Sequence, residues 1–295
     1  MNTSTHANTP HVLARDSAGL NLCHENAEEL WRERPALDFL QVHPEHLLQE
    51  QAGTYRAQLD DLSENYALTY HGFGLSLGSI APLDQRYLKL VRRLLKDHPE
   101  SFFSDHVSWS SLSNHHFHDL LPIIYSDETA DYLVERIQQV QESIDSALYI
   151  ENISSYMRFR ESTKSEFEFI NEVTKRSGCH LLLDLNNLYA NTMNFGENPE
   201  EVLRSIRPDS VKSYHMAGCT LQPEKHGNVW IDYHREPVSD QVWQLFQVAL
   251  DLFGTWPTLL EWENNVPPLS RTLQEANKAK QLLKASNTRN RGFNS

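Results

Sequence analysis

Eight short apolar runs recur along the chain, and each closes on a metal-capable or amide side chain. They are Leu20–Cys23 leading into His24-Glu25-Asn26, Leu37–His43 followed by Glu45, Tyr66–His71, Phe102–His106, Ala147–Asn152, His180–Asn187, Ser210–His215 and Thr258–Asn264. Between most of them the apolar positions fall at helical spacing, as in Leu83–Leu95, Thr129–Ile144, Phe167–Arg176 and Val238–Phe253. Leu181-Leu182-Leu183 and Thr258-Leu259-Leu260 lack polar alternation, which suits strands covered on both faces. Strand then helix, about eight times over, predicts an α/β fold, a TIM-like (β/α)8 barrel. The carboxyl ends of barrel strands converge on one mouth, so His71, His106, Glu151, Asp184, His215 and Glu261 should meet there although they are far apart in sequence. An open doubly wound sheet would gather only a few of them.

At 295 residues the chain has core enough for one such barrel, expected over residues 19–284. The polar, Asn/Ser/Thr-rich segments 1–18 and 285–295 read as flexible ends. No apolar run could span a bilayer and no leader opens the sequence, so the expectation is a cytoplasmic protein with no membrane contact. Cys23, Cys179 and Cys219 lack paired spacing, which argues against a disulfide framework or a thiolate zinc site. A net charge of −14 argues against nucleic acid, whose phosphates call for a basic footprint. Arg158, Arg160 and Lys164 form one local basic patch; Arg158 and Arg160 are candidates for docking an acidic peptide, with solvated surface arginines as the plainer reading.

Fifteen histidines are many for this length, and neutral imidazole is a common metal ligand. His115, His116 and His118 fall in a polar stretch that reads as loop, and His6, His11 and His98 read as solvated. The strand-end groups are different. A single His or Asp there more often caps a helix or closes a hydrogen bond. Six or more on one rim point to cations, because carboxylates bridge metal ions while imidazoles donate neutral nitrogen to iron, zinc or manganese. Three sets stand out: His71, His106 and Glu151; Asp184, His215 and Glu261, with Glu151 near enough to be shared; and Asp232-Tyr233-His234, with Asn187 as an amide-oxygen ligand. An Asp-x-His pair on an extended segment would present both side chains on one face. The glycines of Gly72-Phe73-Gly74-Leu75-Ser76-Leu77-Gly78 lack both the dinucleotide spacing and the P-loop lysine, and read as close backbone approach at the mouth. Trp109, Trp230 and Trp262 follow candidate ligands and could wall a pocket, although packing is the commoner role.

Seven motifs, in this order, carry a resemblance: His71-Gly72-Phe73-Gly74-Leu75-Ser76, Ser104-Asp105-His106-Val107-Ser108-Trp109, Asp119-Leu120-Leu121-Pro122, Glu151-Asn152-Ile153-Ser154-Ser155-Tyr156, Leu183-Asp184-Leu185-Asn186-Asn187, His215-Met216-Ala217-Gly218 and Glu261-Trp262-Glu263-Asn264-Asn265. From about Gly19 to Leu283 the chain resembles the multinuclear non-haem iron-dependent oxidases, long catalogued as a bacterial domain of unknown function. The resemblance implies a TIM barrel with two or three irons in mixed Fe2+/Fe3+ states and O2 as co-substrate. It implies metal ligands at His71, His106, Glu151, Asp184, Asn187, His215, Asp232, His234 and Glu261, with Glu151, His106 and Asp184 expected to carry the chemistry. It also implies a ribosomally synthesised precursor peptide as substrate, modified at a cysteine, and a small leader-peptide-binding partner protein. Asp105, beside His106, is a candidate to orient a ligand. Two departures bear on the substrate: Gly19–Asn26 lacks the usual proline-containing turn, and Tyr233 stands where a small residue is common. The competing readings are a divalent-metal isomerase or phosphodiesterase on the same barrel, and a noncatalytic metal-binding barrel.

Overall fold

The computed structural model describes residues 13–48, 53–112, 115–224 and 227–292. Twelve strands occur among them: β1 (Ala18–Asn21), β2 (Phe39–Val42), β3 (Ala67–His71), β4 (Phe103–His106), β5 (Trp109–Leu112), β6 (His115–Leu121), β7 (Leu148–Glu151), β8 (His180–Asp184), β9 (Val211–Met216), β10 (Thr220–Glu224), β11 (Gly227–Ile231) and β12 (Thr258–Leu260). The helices are α1 (His24–Glu33), α2 (Gly53–Ser63), α3 (Gln85–Asp97), α4 (Asp127–Ile144), α5 (Glu166–Ser177), α6 (Leu185–Phe195), α7 (Pro199–Arg204), α8 (Asp240–Phe253) and α9 (Leu269–Gly292). Strands β1, β2, β3, β4, β7, β8, β9 and β12 pair in parallel and close into a barrel, with β12 returning to β1. All eight predicted runs became barrel strands.

Local chemistry explains the alternation. The strand interiors are buried apolar side chains, among them Leu40, Leu68, Ile150, Leu181 and Leu260, each stabilising the core by about 1.5–3 kcal/mol. Helix α4 buries Leu133, Ile137, Val140 and Ile144, the stripe that helical spacing forecast. Its start is capped by Ser126, whose hydroxyl accepts from Thr129 N, and α5 opens with a reciprocal Ser165/Glu168 box. Gly178 and Gly196 end α5 and α6 in the left-handed region, where a glycine is unstrained.

Parallel register is what builds the site. It sets His106 level with Glu151 and Asp184 level with His215. Because all eight strands point the same way, the ionisable ends share one rim. Two antiparallel hairpins, β5–β6 and β10–β11, rise from that rim in the connections after β4 and β9.

Several local expectations are corrected. His115, His116 and His118 lie on β6 rather than in a loop, with His115 opposite Leu112 and His116 opposite Ser111. A two-stranded ribbon outside the barrel has no continuous sheet face to impose apolar alternation, so its sequence resembles loop. His98 is half-buried against the Tyr70 ring at 6.1 Å, not solvated. Helix α9 continues through residues 285–292, the segment read as a tail. Leu283 and Ser286 are buried there, and Thr255 Oγ1 donates to Asn287 Oδ1 at 2.8 Å, so a polar helix is held by packing. His6, His11 and most of segment 1–18 lie outside the described residues. Among the described residues no helix is long and apolar enough to cross a membrane.

Close backbone approach at the mouth is real. A Cβ on Gly72 would stand 2.1 Å from Tyr87 Oη, and one on Gly78 would stand 2.4 Å from Ile123 Cγ2. Gly218 is tighter still, because its obstacle is backbone: a Cβ would lie 2.0 Å from the Glu236 carbonyl oxygen. Gly218→Ala should therefore force the chain after β9 apart from the segment after His234 and cost about 1–3 kcal/mol, read as a lower urea midpoint. An unchanged midpoint would contradict this packing.

Candidate metal centre

His71 and His106 end β3 and β4, Glu151 ends β7, Asp184 ends β8, His215 lies near the end of β9, and Glu261 follows β12. Their donor atoms converge. His71 Nε2 and His106 Nε2 are 3.2 Å apart and lie 3.1 and 3.3 Å from Glu151 Oε2. The other Glu151 oxygen, Oε1, is 3.1 Å from His215 Nδ1, which is also 3.3 Å from Glu261 Oε2. One carboxylate thus faces imidazoles on both sides, the arrangement of a bridge between two cations.

The Asp232/His234 pair joins this array from the segment after β11. His234 Nε2 is 2.7 Å from Asp232 Oδ1, and His234 Nδ1 is 3.7 Å from Glu261 Oε2. The segment is not extended, as expected from spacing; His234 has φ 47°, in the left-handed region. That turn, not strand alternation, brings the two donors together. Asn187 lies in the first turn of α6, where its backbone N–H donates to Asp184 Oδ1 at 2.6 Å. Asp184 therefore caps the helix with one oxygen and leaves Oδ2 without a partner.

Glu151 Oε2, Asp184 Oδ2, Asn187 Oδ1, His215 Nδ1 and both His234 nitrogens are buried and make no hydrogen bond of regular geometry, although several lie close to one another. Three groups bring donor atoms within 4.8 Å: His71, Glu151 and His215; Asp184, His234 and Glu261; and His43, Glu261 and Glu263. His71 Nδ1 shares a hydrogen bond of 2.7 Å with Ser104 Oγ, which orients the ring so that Nε2 faces the Glu151 carboxylate at 3.1 Å.

Titration behaviour reflects this crowding. Burial, joined by His106 and His215, pushes the His71 imidazole well below its usual range. Burial also opposes the His106 imidazolium, but Glu151 and Asp105 outweigh it and raise the group to about 9. Burial beside Glu151 and Asp232 lifts Asp184 well above the ordinary carboxyl range. Glu261 is held well below its range, since His215 and His234 outweigh the burial that opposes its charge. Without a cation, adjacent groups need opposite protonation states. Oxygen and imidazole donors of this kind fit iron, manganese or zinc.

Above the cluster opens a cavity of about 1050 Å³, whose lining among the described residues includes no Lys or Arg. Its aromatic walls are Phe73, Tyr87, Phe117, Tyr156 and Tyr233. Trp109, Trp230 and Trp262 are not among them: Trp262 is buried with Nε1 donating to Glu275, Trp109 packs on Phe117, and Trp230 packs on Tyr189. Arg158 is committed elsewhere, paired with both Glu197 oxygens at 2.8 and 2.7 Å, and Lys164 lies between Asp127 and Glu172. The expected basic patch is therefore largely neutralised. Asp105 accepts from Leu75 N at 3.0 Å and from its neighbour His106 N at 2.7 Å, and burial raises its carboxyl to about 6.

His43 and Glu263 join the cavity without having been predicted. The signal was present in the strand-end rule, because His43 directly follows β2, and in the alternation Glu261-x-Glu263. Gln41 was also missed; its amide stands 3.0 Å from His215 Nε2.

Residues 17–284 match the family model described as RiPP precursor modification enzyme MbnB/TglH/ChrH. The chain belongs to this family. Its relatives include a UPF0276 protein of Vibrio vulnificus (strain CMCP6), 39% identical over 285 residues and covering 97% of this chain and 94% of that one. A UPF0276 protein of Psychromonas ingrahamii is 36% identical, covering 89% and 93%. Among solved structures, a xylose isomerase-like TIM barrel protein from Mycobacterium smegmatis in complex with magnesium aligns with TM-score 0.58 at 16% identity, covering 88% of both chains. D-psicose 3-epimerase from Clostridium cellulolyticum H10, with D-tagatose, aligns with TM-score 0.54 at 10% identity, covering 93% and 98%. The family sets a peptide-modifying role in general, and these structural likenesses establish the barrel alone.

Replacing Glu151 by Gln should weaken metal binding by more than about tenfold, the lower end of the loss when ligand-orienting partners are removed, measured by elemental analysis after dialysis. A full metal complement in Glu151→Gln would remove the bridging role. A second test concerns the loop that follows Glu151. Asn191 holds this loop and also donates to Glu166 Oε2 at 3.3 Å, and burial raises the Glu166 carboxyl to about 7. The native state thus keeps a proton that the unfolded chain releases at lower pH, so this contribution to stability is present in acid and lost as pH rises toward 7. Glu166→Gln should abolish that dependence, gaining on the order of 1–3 kcal/mol over wild type at about pH 8 and little at about pH 4. Parallel urea curves at both pH values would refute it.

Proposed function

We propose that the chain is an O2-dependent multinuclear non-haem iron enzyme that oxidises a ribosomally made precursor peptide at a cysteine. The observation that carries this reading is the meeting of four carboxylates, Glu151, Asp184, Asp232 and Glu261, with four imidazoles, His71, His106, His215 and His234, with no lysine or arginine among the described residues of the cavity lining. Iron held there would supply the one-electron chemistry with O2 that side chains lack.

The protein's part follows from its own groups. His71, His106 and Glu151 would hold one ion; Asp184, His215 and Glu261, sharing Glu151, a second; and Asn187, Asp232 and His234 a third. Ser104, hydrogen-bonded to His71 Nδ1, would hold the ring with Nε2 turned to the metal. The cavity lies at the large end for small-molecule pockets, which favours several residues of an extended peptide. Phe73 and Tyr156 are each nearly half exposed at its wall and would pack against that peptide while keeping water from the reacting thiol. A small leader-binding partner and a cytoplasmic setting belong to the same proposal.

The alternative is an oxygen-independent isomerase or hydrolase using zinc or manganese, consistent with the barrel but favoured by no particular contact. Metal content decides between them. Protein purified without O2 should contain about two or three irons per chain, in both oxidation states by Mössbauer spectroscopy, and should consume O2 with a cysteine-containing precursor peptide. Stoichiometric zinc or manganese that persists after iron supplementation, with turnover lacking O2, would overturn the proposal.

A further inference from the structure

Strand pairing runs out at the rim of the barrel, and asparagine amides replace it. The side chain of asparagine offers a donor and an acceptor in one plane, as a peptide group does, so it can act as a one-residue strand. Asn152 clamps Asp184, with its Nδ2 donating to the Asp184 carbonyl at 2.9 Å and its Oδ1 accepting from Asp184 N at 2.9 Å. Asn21 grips Trp262, next to Glu261, with distances of 2.8 and 3.1 Å. Asn191 holds Ile153 O and Ser155 N at 2.9 and 2.7 Å. Asn194 takes both backbone groups of Trp230, accepting from its N at 2.8 Å and donating to its carbonyl at 2.9 Å.

The last clamp has a particular place. Asn187, Asn191 and Asn194 follow the i, i+4, i+7 spacing and share one face of α6. Among the described residues β11 pairs with β10 alone, and the Trp230 N–H and carbonyl are both engaged by Asn194. A two-stranded ribbon is marginal by itself. Helix α6 supplies what the ribbon lacks: Asn194 holds the Trp230 backbone, Tyr189 packs edge-on against the Trp230 ring at 5.4 Å, and Asn186 Nδ2 donates to Asp232 Oδ1 at 2.6 Å. Two residues after Trp230 comes Asp232, and two further comes His234 at its left-handed turn.

We infer that Asn194 is a positioning residue for the ion held by Asp232 and His234, acting through the backbone of Trp230. The inference rests on the proposed assignment of those two residues as ligands. Asn194 touches none of the donors. It sets where the ribbon ends, and so whether Asp232 and His234 reach the side of the cluster formed by Asp184 and Glu261.

A matched control is built into the fold. Asn171 makes the same kind of clamp, on Ser205 O and Arg207 N at 2.8 Å each, in the turn leading into β9 at the opposite end of the barrel. Full-length wild type, Asp232→Ala, Asn194→Ala, Asn194→Asp and Asn171→Ala would be titrated with ferrous iron without O2, and amide hydrogen exchange followed over residues 227–234. Asp232→Ala should lose one class of bound iron. Asn194→Ala should weaken that same class about tenfold or more with faster exchange confined to the ribbon, and Asn194→Asp, which keeps only the acceptor, should fall between. Asn171→Ala should bind iron as wild type does while melting earlier. Wild-type affinity in Asn194→Ala, alongside a lost class in Asp232→Ala, overturns the positioning role and leaves the ligand assignment standing. Loss of every class in Asn194→Ala means a structural role only, and also overturns it. If Asn194→Ala does not fold, the Asn194→Asp affinity decides. Unchanged binding in Asp232→Ala overturns the ligand assignment and the inference with it.

Discussion

The Glu151 carboxylate, buried between His71 and His106 on one side and His215 on the other, sets the terms for the rest of the molecule. Four carboxylates and four imidazoles crowd one end of a barrel whose cavity, among the described residues, offers no lysine or arginine to balance them. Removing such groups from water costs several kcal/mol per ion, roughly, unless opposite charge replaces the solvent. Metal cations meet that demand with the donor types present. Buried polar atoms are ordinarily satisfied, and the unpartnered oxygens and nitrogens at the centre are of the types that candidate metal sites use.

Around this centre the protein spends hydrogen bonds on direction rather than on bulk stability. Ser104 orients the ring of His71 through Nδ1, Gln41 contacts the far nitrogen of His215, and Asp184 caps α6 with one oxygen while the other stays free. Asparagine clamps carry the same logic outward to the loops, where no neighbouring strand is available. The loop after β3, helix α3, the β5–β6 hairpin, the loop after β7 and the segment after β11 then raise aromatic walls above the cluster. Rim and roof use different forces: the rim is fixed by parallel register, and the roof by side chains gripping backbone.

Barrels of this shape occur in sugar epimerases that are 10–13% identical to this chain as well as in this peptide-modifying family. Shared architecture delivers a ring of strand ends and nothing about what stands on them. The distinction lies in side chains, and here the relatives at 36–39% identity extend over nearly the whole chain.

Strand order, strand direction and the six strand-end donors were legible in the sequence, because apolar runs buried on both faces cannot be mistaken for surface and a parallel barrel has only one place for their carboxyl ends. The hairpins were not legible: β5 with β6 and β10 with β11 form two-stranded ribbons outside the barrel, where no continuous sheet face forces a period on the sequence. For the same reason α9 past Ala285 reads as tail, since its hold comes from distant Thr255 and from the burial of Ser286. Spacing placed Asp232 and His234 together but for a different cause; the left-handed turn at His234 joins them, and a backbone angle leaves little trace in residue type when the residue is not glycine. His43 and Glu263 belonged to the pattern yet needed the closed barrel to bring them to Glu261. The sequence alone determined which residues carry charge into the core and on which rim they gather. Only the tertiary structure decided which oxygen faces which nitrogen, because that depends on tautomers, caps and clamps made between segments that neither composition nor periodicity connects.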